Sequence, residues 1–238
     1  MTDWPACRRF FAESIGPGRM DPRVWNFLAD LPEGQPVLVA CSGGADSVFL
    51  TLWAAAWLPP VGHPVTVLHF DHGLRGEAAQ SDARFVRELA QALGLAFREG
   101  RPEEPVQPDE DALRSVRFDW MESCYRESGA GGLLLGHHAD DLLESLLLAL
   151  LSGSGPAGLA APQPVKAFSD GHVRLRPLLS WKRRDIEARL LDAGAAWQED
   201  ASNRDTAYLR NWLRQVLIPQ LHERVPRDLH AAARRTRE

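Results

Sequence analysis

The chain has 238 residues, 45% hydrophobic and 25% charged, which suits one large globular domain or one domain with a small appendage and excludes a disordered or fibrous chain. Net charge is −5, but 13 Lys/Arg stand against 23 Asp/Glu up to Gly171 and 14 against 9 from His172 onward, a basic part on an acidic body that is compatible with contacts to a phosphate backbone. No apolar run reaches membrane-spanning length, the first residues lack a signal-peptide core, and Cys7, Cys41 and Cys124 form neither a CxxC pair nor a ligand cluster, so no membrane partner and a cytoplasmic, reduced protein are expected.

Residues 1–33 read as a helical N-terminal extension with breaks at Gly16-Pro17-Gly18 and Asp21-Pro22. Val37 to Cys41 is an apolar β-type run, and the helix-like segment Val48 to Leu58 follows after a short polar turn. Val65 to Phe70 is a second strand. Phe85, Val86, Leu89 and Leu93 recur at helical spacing within 81–93, with Gly94 as the stop. Leu95 to Phe97 is a weak third strand, and 101–108 is a proline- and acid-rich loop. Asp109 can cap a helix reaching Glu127. Leu133 to Leu135 is a strand, Asp140 to Leu151 a helix, and Ser152 to Gly158 a flexible loop. Val173 to Pro177 alternates like an exposed edge strand. Ser180 can cap a helix from Trp181 to Leu191, closed by Gly194. A last helical region runs from Thr206 to about Glu223, and the basic C-terminus is a helix or a frayed tail. Short strands alternating with helices of ten or more residues predict an α/β fold with a doubly wound, mainly parallel sheet and helical N- and C-terminal extensions. The expected division is 1–33, a catalytic domain over 34–200, and a helical segment over 201–238.

Three segments carry chemistry. Ser42-Gly43-Gly44-Ala45-Asp46-Ser47 joins the first strand to a helix N-terminus. Loop amides and the helix dipole direct positive charge into such a turn, which suits phosphate. Ser42 and Ser47 add hydroxyls, and Asp46 makes sense beside phosphate when a metal ion lies between them. The Walker and Rossmann glycine spacings are both absent. The second segment, His69 to Gly76, lies at the carboxyl end of the second strand, where His72 and Arg75 are placed to touch a nucleotide. The third, Gly136 to Glu144, follows the strand at Leu133 to Leu135. Asp140 and Asp141 each share part of a helix face with Glu144, and the three carboxylates call for a cation, either Mg²⁺ carried by a nucleotide or a substrate ammonium. His137 and His138 can bind phosphate or move protons; a zinc site is the weaker alternative because no third ligand has a helpful spacing. The sequence leaves the parts played by His138 and Asp140 open. Arg114 and Arg117 precede that strand, and an arginine there could answer charge as pyrophosphate leaves.

The glycine turn resembles the PP-loop of the N-type ATP pyrophosphatases. Together with Arg117-Phe118, Gly153 to Leu159, Arg176-Pro177-Leu178-Leu179, Glu199 to Asp205 and Tyr208 to Asn211, the three segments resemble the lysidine synthase family of that superfamily, in family order from about residue 37 to 220. Leu142 and Ser145 stand where that family usually has Gln and Thr, and Ala201 where it often has Pro. The resemblance implies ATP and Mg²⁺ as cofactors. It implies free L-lysine and tRNA-Ile with a CAU anticodon as substrates, and adenylation of the wobble cytidine before lysine displaces AMP. It implies that Ser42, Gly43, Gly44, Ala45, Asp46 and Ser47 hold pyrophosphate and Mg²⁺, with Asp46 the metal-side residue. His69, His72 and Arg75 would line the nucleotide; Arg117 and His137 would serve the phosphates and adenylation; Asp141 and Glu144 would recognise lysine. Arg210, Asn211 and Arg214 would support the fold or approach RNA. Family members often carry further C-terminal domains that grip tRNA, and the sequence leaves open whether this chain is a short form or is cut before such a domain. The nearest alternative, a cytidine 2-thiolase, needs cysteine pairs that are missing. An amidotransferase-type synthetase needs a glutaminase-sized region, and a non-catalytic binding module fits poorly with the retained Asp46, Arg117 and Asp141. Nothing in the sequence decides between a monomer and a homodimer.

Overall fold

A computed structural model describes residues 2–74, 76–104, 109–160, 162–199 and 209–237. The chain opens with helix α1 (Trp4–Ser14), capped by the Asp3 carboxylate on the Ala6 amide, and α2 (Pro22–Ala29), capped by Asp21 on the Arg23 amide. Strand β1 (Val37–Ala40) then feeds α3 (Ala45–Trp57), and β2 (Val65–Phe70) feeds α4 (Glu77–Ala92). Strand β3 (Ala96–Gly100) precedes α5 (Glu110–Ser128), whose first turn is capped by Asp109 on the Ala112 amide. Strand β4 (Gly132–Leu134) leads into α6 (Ala139–Leu151), followed by a single turn α7 (Pro156–Leu159). Strands β5 (Val165–Ala167) and β6 (Val173–Leu175) form a hairpin before α8 (Arg183–Asp192).

The strand order is β3-β2-β1-β4-β6-β5. All neighbours are parallel except β5 against β6; Val39 pairs with Val67 on one side and Leu134 on the other. The chain winds outward from β1 through β2 to β3, then returns to place β4 on the other side of β1. The crevice above the carboxyl ends of β1 and β4 is therefore the switch point where such sheets bind ligands.

Both sheet faces are covered. Helices α1 to α4 and α8 pack on one face around Phe11, Phe49, Trp53, Val86 and Leu190; the Phe11 and Phe49 rings meet edge to face at 4.9 Å. Helix α5 covers the other face through Phe118, Met121 and Cys124 against Leu38, Leu68 and Leu133. Helix α3 is apolar almost all round, as befits a helix buried between sheet and neighbours.

The C-terminal part is helical: α9 (Leu209–Trp212), a π-helical stretch at Leu213–Leu217, α10 (Ile218–Arg224) and α11 (Leu229–Arg237). Pro219 has no N–H to return to the carbonyl four residues earlier, and the wide turn falls just before it. Leu142, Leu143, Ile218 and Ala233 form a separate apolar cluster that joins these helices to α6.

The predicted sheet stands, with three differences of detail. Val173 to Leu175 is no edge strand: β5, which sequence reading passed over, pairs outside it, and Val173 and Leu175 are buried. Helix α8 begins at Arg183 with Lys182 at its cap, because the buried Trp181 indole donates to the Arg19 carbonyl at 2.8 Å and holds the preceding residues in a turn. The 152–158 loop contains the turn α7. Arg75 and the 200–208 part of the family-like motifs lie outside the described residues.

Candidate active site

The glycine turn sits at the end of β1. Gly43 has φ +96°, a conformation that β-carbon-bearing residues rarely adopt, and its carbonyl accepts from the Gln198 amide at 2.9 Å. The Ser42 and Gly43 amides both converge on the Ser47 hydroxyl at 3.2 Å, and that hydroxyl donates to the Gly44 carbonyl at 2.9 Å. Two N–H groups already aimed at one oxygen form the kind of concavity that an anion's oxygens compete for. Helix α3 begins directly after Gly44, which has no side chain to cap it. Asp46, in that first turn, has its Oδ1 buried without a hydrogen-bond partner. A buried carboxylate oxygen left unmatched at a phosphate loop fits a cation such as Mg²⁺.

The end of β4 comes close to the start of α3. A β-carbon on Gly136 would stand 3.3 Å from the Asp46 carbonyl carbon, so glycine lets the two backbones approach. His137 and His138 follow and have opposite environments. Burial, together with the guanidiniums of Arg176, Arg114 and Arg210, pushes the pKa of His137 well down despite Asp141, leaving the ring neutral. His137 faces a cavity of about 340 Å³ lined also by Asp111, Arg114, Ser145, Arg176 and Arg210.

His138 is buried and stands just before α6, its amide donating to the Asp141 carboxylate. Its Nε2 lies 3.5 Å from Asp46 Oδ2 and 3.4 Å from Asp141 Oδ2, and its Nδ1 lies 3.3 Å from Asp140 Oδ2. Burial opposes a charge on this ring, but the three carboxylates outweigh burial and raise its pKa to about 10. The Asp140 amide is also 3.3 Å from Nδ1. The carboxylates decide between the two contacts: the ring carries both protons, and Nδ1 donates to the Asp140 side chain.

The acidic face of α6 is matched from within the chain. Glu144 is fully buried; its Oε1 accepts from Arg214 Nε at 2.6 Å, and its Oε2 accepts from Arg214 Nη2 at 3.0 Å and Arg210 Nε at 3.1 Å. Asp141 Oδ1 accepts from Arg214 Nη2 at 3.2 Å, and Asp141 Oδ2 from the His138 amide at 3.0 Å. Asp140 accepts from the Arg183 amide at 2.8 Å and meets His230 Nε2 at 3.0 Å. The cation expected beside three carboxylates is thus supplied by His138, Arg210 and Arg214.

Other sequence-predicted residues spread around this centre. His69 is buried in β2, and its Nδ1 donates to the Cys41 carbonyl at 2.9 Å, tying the ends of β1 and β2 together. The His72 ring meets Phe70 edge to face at 5.1 Å. Arg117 lies over the Phe118 ring at 5.4 Å on α5, while Arg114, one turn earlier, lines the cavity. Asn211 follows Arg210 on α9 and is half-buried. Arg176, named in the sequence only as part of the Arg176-Pro177-Leu178-Leu179 motif, is buried at the site with its Nη1 donating to the Gln163 carbonyl at 2.8 Å, and sequence reading missed His230 on α11. Among the described residues, the one group of His, Asp and Glu close enough to share a metal ion is Glu122, Asp170 and His172, away from His137 and His138. Arg174 bonds Glu122 there and Arg126 lies 3.6 Å from Asp170, so guanidiniums already match both carboxylates. No described helix is long and apolar enough to cross a membrane.

A mainly parallel sheet with a glycine turn, a carboxylate that has one oxygen unmatched and a guanidinium-lined cavity at its switch point defines an α/β phosphate-binding domain. The family model for the PP-loop domain matches residues 19–221, and the chain belongs to that family. It is similar to curated proteins called tRNA(Ile)-lysidine synthase: 36% identical to that of Rhodopirellula baltica over 83% of this chain and 55% of the relative, and 40% to that of Geobacter sulfurreducens over 79% and 40%. The protein of that name from Burkholderia mallei is 41% identical over 87% of this chain and 42% of its own length. The chain therefore spans about half the length of the curated relatives it matches. Among solved structures, the U34-tRNA thiolase NcsA from Methanococcus maripaludis shares the fold, with a TM-score of 0.72, 13% identity, and coverage of 97% of this chain and 76% of that one.

Proposed function

We propose that this chain carries the ATP-dependent ligation of free L-lysine to C2 of the wobble cytidine of tRNA-Ile with a CAU anticodon. The products are lysidine, AMP and pyrophosphate, and the enzyme is cytoplasmic. Residues 34–200 form the catalytic unit, with 1–33 and 201–238 as its helical flanks. The observation that carries this reading is the unmatched Asp46 Oδ1 at the mouth of a PP-loop turn, next to a cavity with three guanidiniums. Membership of the PP-loop family and the shared name of the curated relatives support it.

In this reading the amides and hydroxyls from Ser42 to Ser47 hold the β,γ-phosphates, and Asp46 holds the Mg²⁺ side. Mg²⁺ held there would neutralise phosphate charge and make pyrophosphate a better leaving group. The cytidine O2 attacks the α-phosphorus and pyrophosphate departs. Adenylation is needed because a cytosine carbonyl oxygen is a poor leaving group. The neutral ε-amine of lysine then attacks C2, AMP leaves with the former O2, and a proton is released. His137, held neutral, is fit to hydrogen-bond the phosphates or the cytidine without adding charge of its own. His69, His72 and Arg75 border the nucleotide, and Arg117 serves the phosphates, with Arg114 beside it at the cavity wall. Asp141 and Glu144 recognise lysine. Arg210 and Arg214 already match their charge, so a lysine ammonium binds by displacing a guanidinium or by approaching through Asp141. Arg210, Asn211 and Arg214 keep the C-terminal helices on α6.

The test is incubation with labelled lysine, ATP and tRNA, omitting each in turn. The expected result is label in RNA that needs all three components and is lost in Asp46→Ala. Label that persists without ATP, or full turnover by Asp46→Ala, would overturn the assignment.

A further inference from the structure

Helix α11 lies beyond residue 221, where the match to the PP-loop family model stops, yet one of its side chains reaches the centre of the site. His230 is buried, and its Nε2 lies 3.0 Å from Asp140 Oδ1. The other oxygen of Asp140 lies 3.3 Å from His138 Nδ1, and His138 Nε2 faces Asp46 at 3.5 Å and Asp141 at 3.4 Å. Four side chains thus run in one line from the last helix to the phosphate-loop carboxylate. The backbone fixes the far end of the line: the Asp228 carboxylate accepts from the His230 amide at 3.0 Å and the Ala231 amide at 3.2 Å, and Lys182 holds Asp228 at 3.2 Å.

The tie is not what docks the helix. Leu229 and Ala233 already pack with Leu142, Leu143, Leu146 and Leu147 of α6 and Ile218 of α10. The His230 imidazole, stacked on His222 at 5.0 Å, adds to that packing one directed hydrogen bond to a carboxylate. Carboxylates that support a histidine in this manner fix the ring's orientation and which nitrogens carry protons.

We propose that His230 is a positioning residue: through Asp140 it sets the angle of the His138 ring, and so the placement of Asp46 and Asp141 at the nucleotide and amine sides of the site. This rests on the reading of Asp46 as the metal-side residue of a Mg²⁺–nucleotide site. Asp140 is then a junction between the N-terminus of α8, through the Arg183 amide at 2.8 Å, the α11 imidazole and the phosphate-loop side. The C-terminal helix is a working part of the site and not only a cover.

The test compares His230→Leu, which keeps bulk without a donor, with His230→Gln, whose amide can donate from nearly the same place. Binding of a non-hydrolysable ATP analogue is measured by calorimetry with and without Mg²⁺ on the full chain, beside thermal unfolding. Histidine-selective ¹⁵N NMR reads the His138 ring. In His230→Leu, Mg²⁺-dependent affinity falls about tenfold, as for supporting partners of a site histidine. Binding without Mg²⁺ stays level, and the His138 nitrogen signals shift. In His230→Gln both properties return most of the way to wild type. Should His230→Leu fail to fold, Asp140→Asn replaces it with the same expected loss. Unchanged Mg²⁺-dependent binding and unchanged His138 signals in His230→Leu would overturn the proposal. Equal losses in the Leu and Gln variants that follow unfolding would do so too, by reducing His230 to a structural role. A wild-type chain that binds no Mg²⁺–nucleotide would instead overturn the site reading beneath it.

Discussion

Glu144 shows how much of this site is electrostatic accounting between distant parts of one chain. Its side chain has no solvent exposure, and two guanidiniums reach it from residues 66 and 70 positions away. A buried carboxylate is tolerable only when paired, and removing one partner strands the others. Glu144→Ala should lower the unfolding free energy by roughly 3–5 kcal/mol in a urea titration, because Arg210 and Arg214 lose their main counter-charge in a partly buried setting. A change of only a few tenths of a kcal/mol would mean that the guanidiniums relax freely into solvent and that Glu144 does not anchor the C-terminal helices. The acidic face of α6 was legible in the sequence as a demand for positive charge. The source of that charge was not: no spacing rule connects Glu144 to Arg210 and Arg214 when the contact depends on a loop, a π-helical turn and a second apolar cluster.

At the scale of elements, local signals worked where one residue decides the outcome. Asp109 caps the helix that follows it, the break read at Asp21-Pro22 is the start of α2, and Val65 to Phe70 is a strand with the bounds that its apolar run suggests. Elements settled by partners were harder to read. Strand β5 has three residues and exists because it pairs with β6, and Ser180 loses its capping role to a turn held by the Trp181 indole. Helix α11 read as a helix or a frayed tail because its composition is basic and its burial depends on α6. Its start is held by Asp228, whose pKa falls to about 2, first through the Ala231 amide, against the cost of burial, and then through Lys182 and the His230 amide. A carboxyl group with a folded-state pKa below its ordinary value stabilises fully above about 4 and stops doing so as the pH falls through the folded value. Protection of the Ala231 and Ala232 amides against exchange, relative to their intrinsic rates, should therefore fall between about pH 4 and 2 in the native chain. The acid-linked part of that change should vanish in Asp228→Asn, which keeps a capping oxygen without the titration. An equal fall in both proteins would show that Asp228 does not hold the helix.

At the scale of the molecule, the sheet order places the glycine turn, the β4 end and the α6 carboxylates at one crevice. Alternating strands and helices were enough to anticipate this, because a doubly wound sheet has only one such switch point. The charge division along the sequence also has a spatial counterpart: Arg176, Arg210 and Arg214 all belong to the basic C-terminal part and all lie at the site. If this basic part contacts the tRNA backbone, as its charge suits it to do, affinity for tRNA should fall linearly on a logarithmic plot against salt, by about 0.9 in slope for each phosphate neutralised on a duplex. An affinity indifferent to salt would remove the backbone contact from the account.

The most direct measurement of the central claim is the fate of ATP's phosphates. With ATP, lysine and tRNA supplied, the products should be AMP and pyrophosphate, released in step with lysine joined to RNA. Release of ADP and inorganic phosphate instead would contradict a turn built to hold departing pyrophosphate and would end the adenylyl-transfer account.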